Sequence, residues 1–278
     1  MNRWILGARV RTLPAAITPV IVAIALAYPK FNLINALLTL IVGISLQVAV
    51  NYANDYSDGI RGTDTERIGP TRLVASGLAS AAEVKNAAFG AFTIAAIAGG
   101  YLASRTTYWF LLIGASAIIS AWRYTGGKNP YGYRGFGELY VFIYFGLVAT
   151  VGTYYAQTGK IDIEAIVAAI SNGAISCALL MVNNIRDIEG DTRAGKRTFA
   201  VRIGDTRARR FYMFLIFLSI FTGFTVSILV AAGIFPAIRL LNQIKYKKGG
   251  ELIAVLGATG KFQLIIGALI SIGSLLKI

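Results

Sequence analysis

An all-α bundle of about nine membrane-spanning helices around a central cavity is the fold class predicted by three features of the sequence. The 278 residues are 56% hydrophobic and only 14% charged, with a mean hydropathy of +0.63, which is far too apolar for a soluble domain of this length. Apolar stretches of about 17 to 25 residues, the length a helix needs to cross a bilayer, recur from one end to the other. The basic residues punctuate these stretches instead of forming one face. No low-complexity linker divides the chain, so residues 1–278 read as a single integral-membrane domain.

The expected spans are 13–28, 33–53, 86–104, 107–123, 138–157, 163–183, 208–222, 224–242 and 261–276. The first follows Arg3, Arg9 and Arg11 and shows no small-residue cleavage site, which predicts a retained helix. The second and sixth run into the polar connections 58–85 and 187–207. Between the fourth and fifth, Tyr124 to Glu138 holds Gly126, Gly127, Pro130, Gly132 and Gly135, the composition of a loop. Residues 211–241 are short for two full spans, so a hairpin turning at Gly223 with a break at Pro236 is expected there. With the N-terminus inside, only Lys30, Arg105, Lys160 and Lys277 of the 27 basic residues fall outside, which the positive-inside rule favours.

Composition also excludes chemistry. There is no histidine, which removes imidazole-ligated metals, a serine–histidine–aspartate triad and an imidazole base. The single cysteine, Cys177, lies in an apolar run and reads as a small buried hydrophobe. The net charge of +14 is spread between spans and not over a soluble face, so membrane lipids and an anionic substrate are the expected partners and nucleic acid is not.

Two clusters of acids and amides end apolar segments: Asn54, Asp55 and Asp58, then Asn183, Asp187 and Asp191. On a helix, Asn54 and Asp58 share a face, and Asn183, Asp187 and Asp191 line one stripe. Hard oxygen donors without sulfur or imidazole select Mg²⁺, which bridges one or two carboxylates to phosphate oxygens. Solvated helix ends paired with Arg61 or Arg186 would explain either cluster alone. Two copies are harder to explain as caps, because acids at helix C-termini oppose the macrodipole. Arg72, Lys196, Arg197 and Arg202 are candidate diphosphate contacts, and Arg186 is a further substrate-binding candidate. In the glycine-rich loop, Lys128 is a candidate for holding an anionic leaving group and Tyr124 or Tyr131 for lining a pocket.

Asn54-Asp55-Tyr56-Ser57-Asp58, continued by Gly62-Thr63-Asp64-Thr65 and Gly69-Pro70-Thr71-Arg72-Leu73-Val74-Ala75-Ser76-Gly77, resembles the first motif of the UbiA-type intramembrane prenyltransferases. Asn183-Asn184-Ile185-Arg186-Asp187-Ile188-Glu189-Gly190-Asp191 with Gly195-Lys196-Arg197-Thr198 resembles the second. The Gly-Thr-Asp element, the Asn-Asn-Ile-Arg-Asp run and residues 8–14 are most similar to the branch that prenylates 1,4-dihydroxy-2-naphthoate for menaquinone.

The resemblance implies a horseshoe of helices with a lateral opening for a polyprenyl tail. It implies Mg²⁺ as cofactor, and polyprenyl diphosphate and 1,4-dihydroxy-2-naphthoate as substrates. Metal and diphosphate roles would fall on Asn54, Asp58, Asn183, Asp187 and Asp191, with Asp55 and Asp64 supporting the first metal. Asp58, Asp187, Asp191, Arg72 and Lys196 would stabilise the leaving group, and Arg9 or Arg11 would bind the acceptor carboxylate. The chain departs from the broader pattern at Gly62, where the superfamily places its second acid. Another aromatic acceptor, or a transporter of divalent cations or phosphorylated metabolites, are the competing readings.

Overall fold

The computed structural model describes residues 2–63, 69 and 71–278. It contains only helices among those residues: α1 (Arg3–Ala8), α2 (Pro14–Ala27), α3 (Leu33–Arg61), α4 (Ala81–Arg105), α5 (Trp109–Arg123), α6 (Gly137–Val141), α7 (Ala149–Thr158), α8 (Ile163–Arg193), α9 (Phe199–Ile203), α10 (Asp205–Val226), α11 (Ile234–Tyr246) and α12 (Leu252–Leu276). A π-helical segment, Phe142–Val148, joins α6 and α7 into one span. Every expected span finds a helix. Seven described helices are long and apolar enough to cross a bilayer, and the pair Arg3–Thr12 and Pro14–Ala27, bent by 52°, makes an eighth. The shorter α5 has 15 apolar-rich residues.

Local chemistry sets the ends. Pro14 opens α2, where its missing N–H would have had no partner. The Asn32 side chain accepts from Asn35 N to start α3, and Gly62 at φ 68 ends it in the left-handed conformation. Ser80 and Glu83 form a reciprocal capping box that starts α4 at Ala81, five residues before the hydropathy pattern begins. The hairpin near 211–241 breaks at Ser227 and not at Gly223. The Ser227 side chain accepts from Leu229 N and begins a 3₁₀ turn, Ile228–Gly233, while Pro236 sits harmlessly in the first turn of α11.

One core joins α8, α10, α11 and α12 around Ile175, Met181, Tyr212, Ile216 and Phe262. A second joins α3 and α4 around Ala49, Leu73, Val84 and Phe92. The helix α2 packs against α3, α7, α8 and α12 and so closes the ring between the two cores. The most enclosed span is α8, whose Ala165, Ala168, Ala169, Ala174 and Ala178 are fully buried. At its crossing with the π-helical segment, a Cβ on Gly146 would come within 2.6 Å of Gly173 Cα, so only glycine permits the approach. On the far side of the ring, α5 packs against α3 and α4. It meets the π-helical span through Tyr144 hydroxyl bonds to Ser116 and Ser120 and through the edge-to-face rings of Phe110 and Tyr155.

Candidate active site

The ring encloses a cavity of about 1580 Å³. One end is polar, lined by Asn54, Asp58, Arg72, Asn183, Asp187, Asp191 and Lys196; the other is apolar, reaching Thr39, Gly100, Phe110, Tyr155 and Ile166. The helical rise from Thr39 to Asp58 along α3 is about 28 Å, close to the thickness of a bilayer core. The two acidic clusters, 129 residues apart from Asp58 to Asp187 in sequence, therefore share one mouth of one chamber.

Asp58 is the hub. Its Oδ1 lies 3.1 Å from Lys196 Nζ and accepts from the Tyr133 hydroxyl, and its Oδ2 lies 3.9 Å from an Arg72 nitrogen. All three charged side chains are buried. Lys196 Nζ also sits 4.7 Å from the centroid of the Tyr133 ring. Burial and the adjacent Asp58 carboxylate push the Tyr133 hydroxyl well above the ordinary tyrosine range, so it stays protonated and donates.

The surrounding loops are tied down by named bonds. Asp55 is fully buried, and its carboxylate accepts from Leu73 N at 2.8 Å and Val74 N at 3.1 Å, which fixes the turn carrying Arg72. Thr125 Oγ1 donates to Asn54 Oδ1 at 2.8 Å, and Arg61 donates to the carbonyls of Thr125 and Gly127. Arg197 N donates to Tyr133 O at 2.8 Å, joining the loop after α5 to the loop after α8. In the second cluster, Arg186 grips Asp187 through two bonds of 2.7 and 2.8 Å. Thr198 Oγ1 donates to Asp191 Oδ2 at 3.5 Å. Burial first, then the charges of Glu138, Asp191 and Asp58 among its neighbours, hold the Tyr124 hydroxyl well above its ordinary range.

At the bend between α1 and α2, Asn51 Nδ2 donates to Ala8 O at 2.9 Å and to Thr12 Oγ1 at 3.0 Å, and Gln47 donates to the same hydroxyl at 3.0 Å. Arg9, at φ 51, lines the cavity there, and one of its terminal nitrogens is buried without a hydrogen-bond partner among the described residues. Arg11 also lines the wall.

The structure thus brings Asn54, Asp58, Arg72, Tyr124, Asn183, Arg186, Asp187, Asp191, Lys196, Arg9 and Arg11 to the cavity. Four expectations need correction. Asp55 is turned onto the Leu73–Val74 backbone and is not among the cavity-lining residues, so its described hydrogen bonds hold a loop. Lys128 is exposed on its turn, outside the lining. Arg197 and Arg202 are also exposed, and Arg202 Nε donates to Arg197 O. Asp64 lies outside the described residues. Tyr133, Thr125, Gln47 and Asn51 were missed, with only the proximity of Tyr133 to a glycine-rich turn on the acidic side as a hint, and Arg61, expected to pair with the first cluster, instead donates to the carbonyls of Thr125 and Gly127.

The donor set suits a hard cation. It offers carboxylate and amide oxygens alone, and among the described residues no three acids converge into a cage of their own. That is the arrangement expected for Mg²⁺, which takes one or two carboxylates and completes its shell with water and phosphate oxygens. Asp58 and Asp187, each already facing cationic side chains, have the charge to exchange those partners for a metal.

Comparison with known proteins places this architecture. The profile of the UbiA prenyltransferase family matches residues 16–251. A 1,4-dihydroxy-2-naphthoate octaprenyltransferase of Mycobacterium tuberculosis is 46% identical over 274 residues, covering 95% of this chain and 93% of the relative. The enzyme of that name from Escherichia coli is 36% identical over 77% of this chain and 72% of its own length. Among solved structures, a UbiA homolog from Archaeoglobus fulgidus bound to GPP and Mg²⁺ superposes with a TM-score of 0.73 at 14% identity, covering 99% of each chain. An apo UbiA homolog from Aeropyrum pernix gives 0.72 at 18% identity, covering 94% of this chain and 97% of the other.

Proposed function

The chain belongs to the UbiA prenyltransferase family, and on that premise we propose that it transfers a polyprenyl group from polyprenyl diphosphate to 1,4-dihydroxy-2-naphthoate, with loss of carbon dioxide, in menaquinone biosynthesis. The observation that carries the reading is one cavity whose cationic and acidic mouth opens into an apolar slot. A diphosphate belongs at the first, and an isoprenoid tail at the second. The polytopic helices make this a membrane protein, and the basic residues orient the mouth and the N-terminus towards the cytoplasm.

Asn54, Asp58, Asn183, Asp187 and Asp191 would hold Mg²⁺, which supplies positive charge to the diphosphate as the carbon–oxygen bond breaks. Arg72 and Lys196 approach Asp58 from the cavity side and neutralise the leaving group as its charge develops. Tyr133 keeps its proton and fixes the Asp58 carboxylate. Lined by Leu46, Val50, Ala117, Val141 and Phe145, the slot excludes water from the allylic cation. The ring hydroxyls activate the aromatic nucleophile themselves, so no histidine is required. Arg9, with a buried guanidinium nitrogen that has no partner among the described residues, meets the acceptor carboxylate.

Purified protein supplied with 1,4-dihydroxy-2-naphthoate, a polyprenyl diphosphate and Mg²⁺ is expected to form a prenylated naphthoquinol. Product from a different aromatic acid in its place would reassign the acceptor. Asp58→Ala and Asp187→Ala are expected to abolish turnover and Mg²⁺-dependent diphosphate binding while the protein remains in the membrane. Near-normal turnover in either variant would remove the metal-clamp roles.

A further inference from the structure

Glu138 is an acid inside a membrane-spanning helix, 7% exposed, in the first turn of α6. Its Oε1 accepts from Asn184 Nδ2 at 2.8 Å, and its Oε2 is buried without a hydrogen-bond partner among the described residues. Its backbone carbonyl accepts from Cys177 Sγ at 3.1 Å, so the start of α6 is pinned to α8 at two points. An acid in this position carries a large desolvation penalty, and a hydrophobic residue would tie the two helices at less expense. Nothing in the metal or diphosphate chemistry uses it.

What the carboxylate does is orient an amide. Asn184 lines the cavity; Glu138 does not. Because Nδ2 is committed to Glu138 behind the wall, the planar amide leaves Oδ1 on the cavity side, where it is not sealed from the chamber and has no hydrogen bond among the described residues. A cavity-facing carbonyl oxygen requires a donor. The diphosphate and the prenyl tail have none to offer, whereas a hydroxylated aromatic acid carries ring hydroxyls. Asn184 also lies one helical turn deeper than Asp187, about 4.5 Å towards the apolar slot, the side on which a ring must meet the allylic carbon.

We propose that Glu138 is a positioning residue that fixes the Asn184 amide so that its oxygen accepts a hydrogen bond from a ring hydroxyl of the aromatic acceptor. The assignment rests on the prenyltransferase reading above, and wild-type product formation from 1,4-dihydroxy-2-naphthoate is the control that tests that reading separately.

Four variants are compared in detergent-purified full-length protein, with KM measured separately for acceptor, donor and Mg²⁺. Glu138→Leu is expected to raise the acceptor KM about tenfold, the worth of one hydrogen bond with its orientation, and to leave the donor and Mg²⁺ values within about twofold. Glu138→Gln, whose carbonyl accepts from the same Nδ2, is expected to restore the wild-type acceptor KM. Asn184→Leu is expected to match Glu138→Leu, and the double variant to be no worse than either alone. A loss spread equally over all three reactants would reduce Glu138 to a helix tie. A Mg²⁺ value that moves alone would make Asn184 a metal ligand, and a Glu138→Gln as damaged as Glu138→Leu would mean the charge itself is needed; each overturns the proposal. Should Glu138→Leu fail to insert, Asn184→Leu with Glu138→Gln decides the question alone.

Discussion

Replacing Asp55 separates a loop anchor from a metal ligand. In the structure its carboxylate accepts two backbone N–H groups, Leu73 at 2.8 Å and Val74 at 3.1 Å, in full burial. Hydrogen bonds to a charged group are worth about 1.5 to 3 kcal/mol each, so Asp55→Ala should remove about 3 to 6 kcal/mol from the turn that carries Arg72. Asp55→Asn keeps one acceptor oxygen but presents an amide N–H₂ to the second donor, and should fall between wild type and alanine. The assay pairs thermal unfolding in detergent with a Mg²⁺ titration of turnover. The expected result is a lower unfolding temperature, and reduced turnover that extra Mg²⁺ does not recover, because what is lost is the placement of Arg72. Unchanged stability together with turnover rescued by high Mg²⁺ would refute the argument and return Asp55 to the metal shell.

Tyr133→Phe keeps the ring beside Lys196 and deletes the hydroxyl that donates to Asp58; turnover is expected to fall about tenfold, the scale of one hydrogen bond to a charged acceptor, measured with labelled donor. Because the folded-state pKa of Tyr133 lies above its unfolded value near 10, the stabilisation from its neutral hydroxyl is complete below pH 10 and lost only as pH rises beyond it. The pH–rate profiles of wild type and Tyr133→Phe should therefore be parallel from pH 7 to about 9.5; an alkaline limb present only in wild type would contradict the assignment. At the apolar end, Gly100 lines the slot and a Cβ there meets nothing within 4 Å, so Gly100→Leu should slow long-tailed donors while sparing a two-isoprene donor. Equal slowing of both in a competition assay would show that the tail does not pass Gly100.

The architecture was legible because it is written locally: hydropathy locates each span, and the 3.6-residue period alone puts Asn183, Asp187 and Asp191 on one stripe. What escaped is tertiary. The role of Asp55 depends on a turn 18 residues downstream that the sequence does not mark. Tyr133 sits among glycines whose pattern announces a turn and says nothing of a neighbouring carboxylate. Arg72 and Lys196 reach the cavity while Lys128, Arg197 and Arg202 do not, yet all five satisfy the positive-inside rule equally, so charge pattern could not sort them. The break at Ser227 was misplaced to Gly223 because a serine capping a 3₁₀ turn is a weaker signal than a glycine.

The brevity of α5 ties the enzyme to its solvent. Its 15 residues rise about 22 Å, several ångströms short of a hydrocarbon core of about 30 Å. Lipid beside it must thin, or the residues flanking it must snorkel to the interface, and that deformation falls on the wall joined to the π-helical span by side chains such as Tyr144 and Phe110. Lipid acyl length thereby becomes a mechanical load on the chamber, so the same polypeptide should turn over at different rates in vesicles of short-chain and long-chain phospholipid.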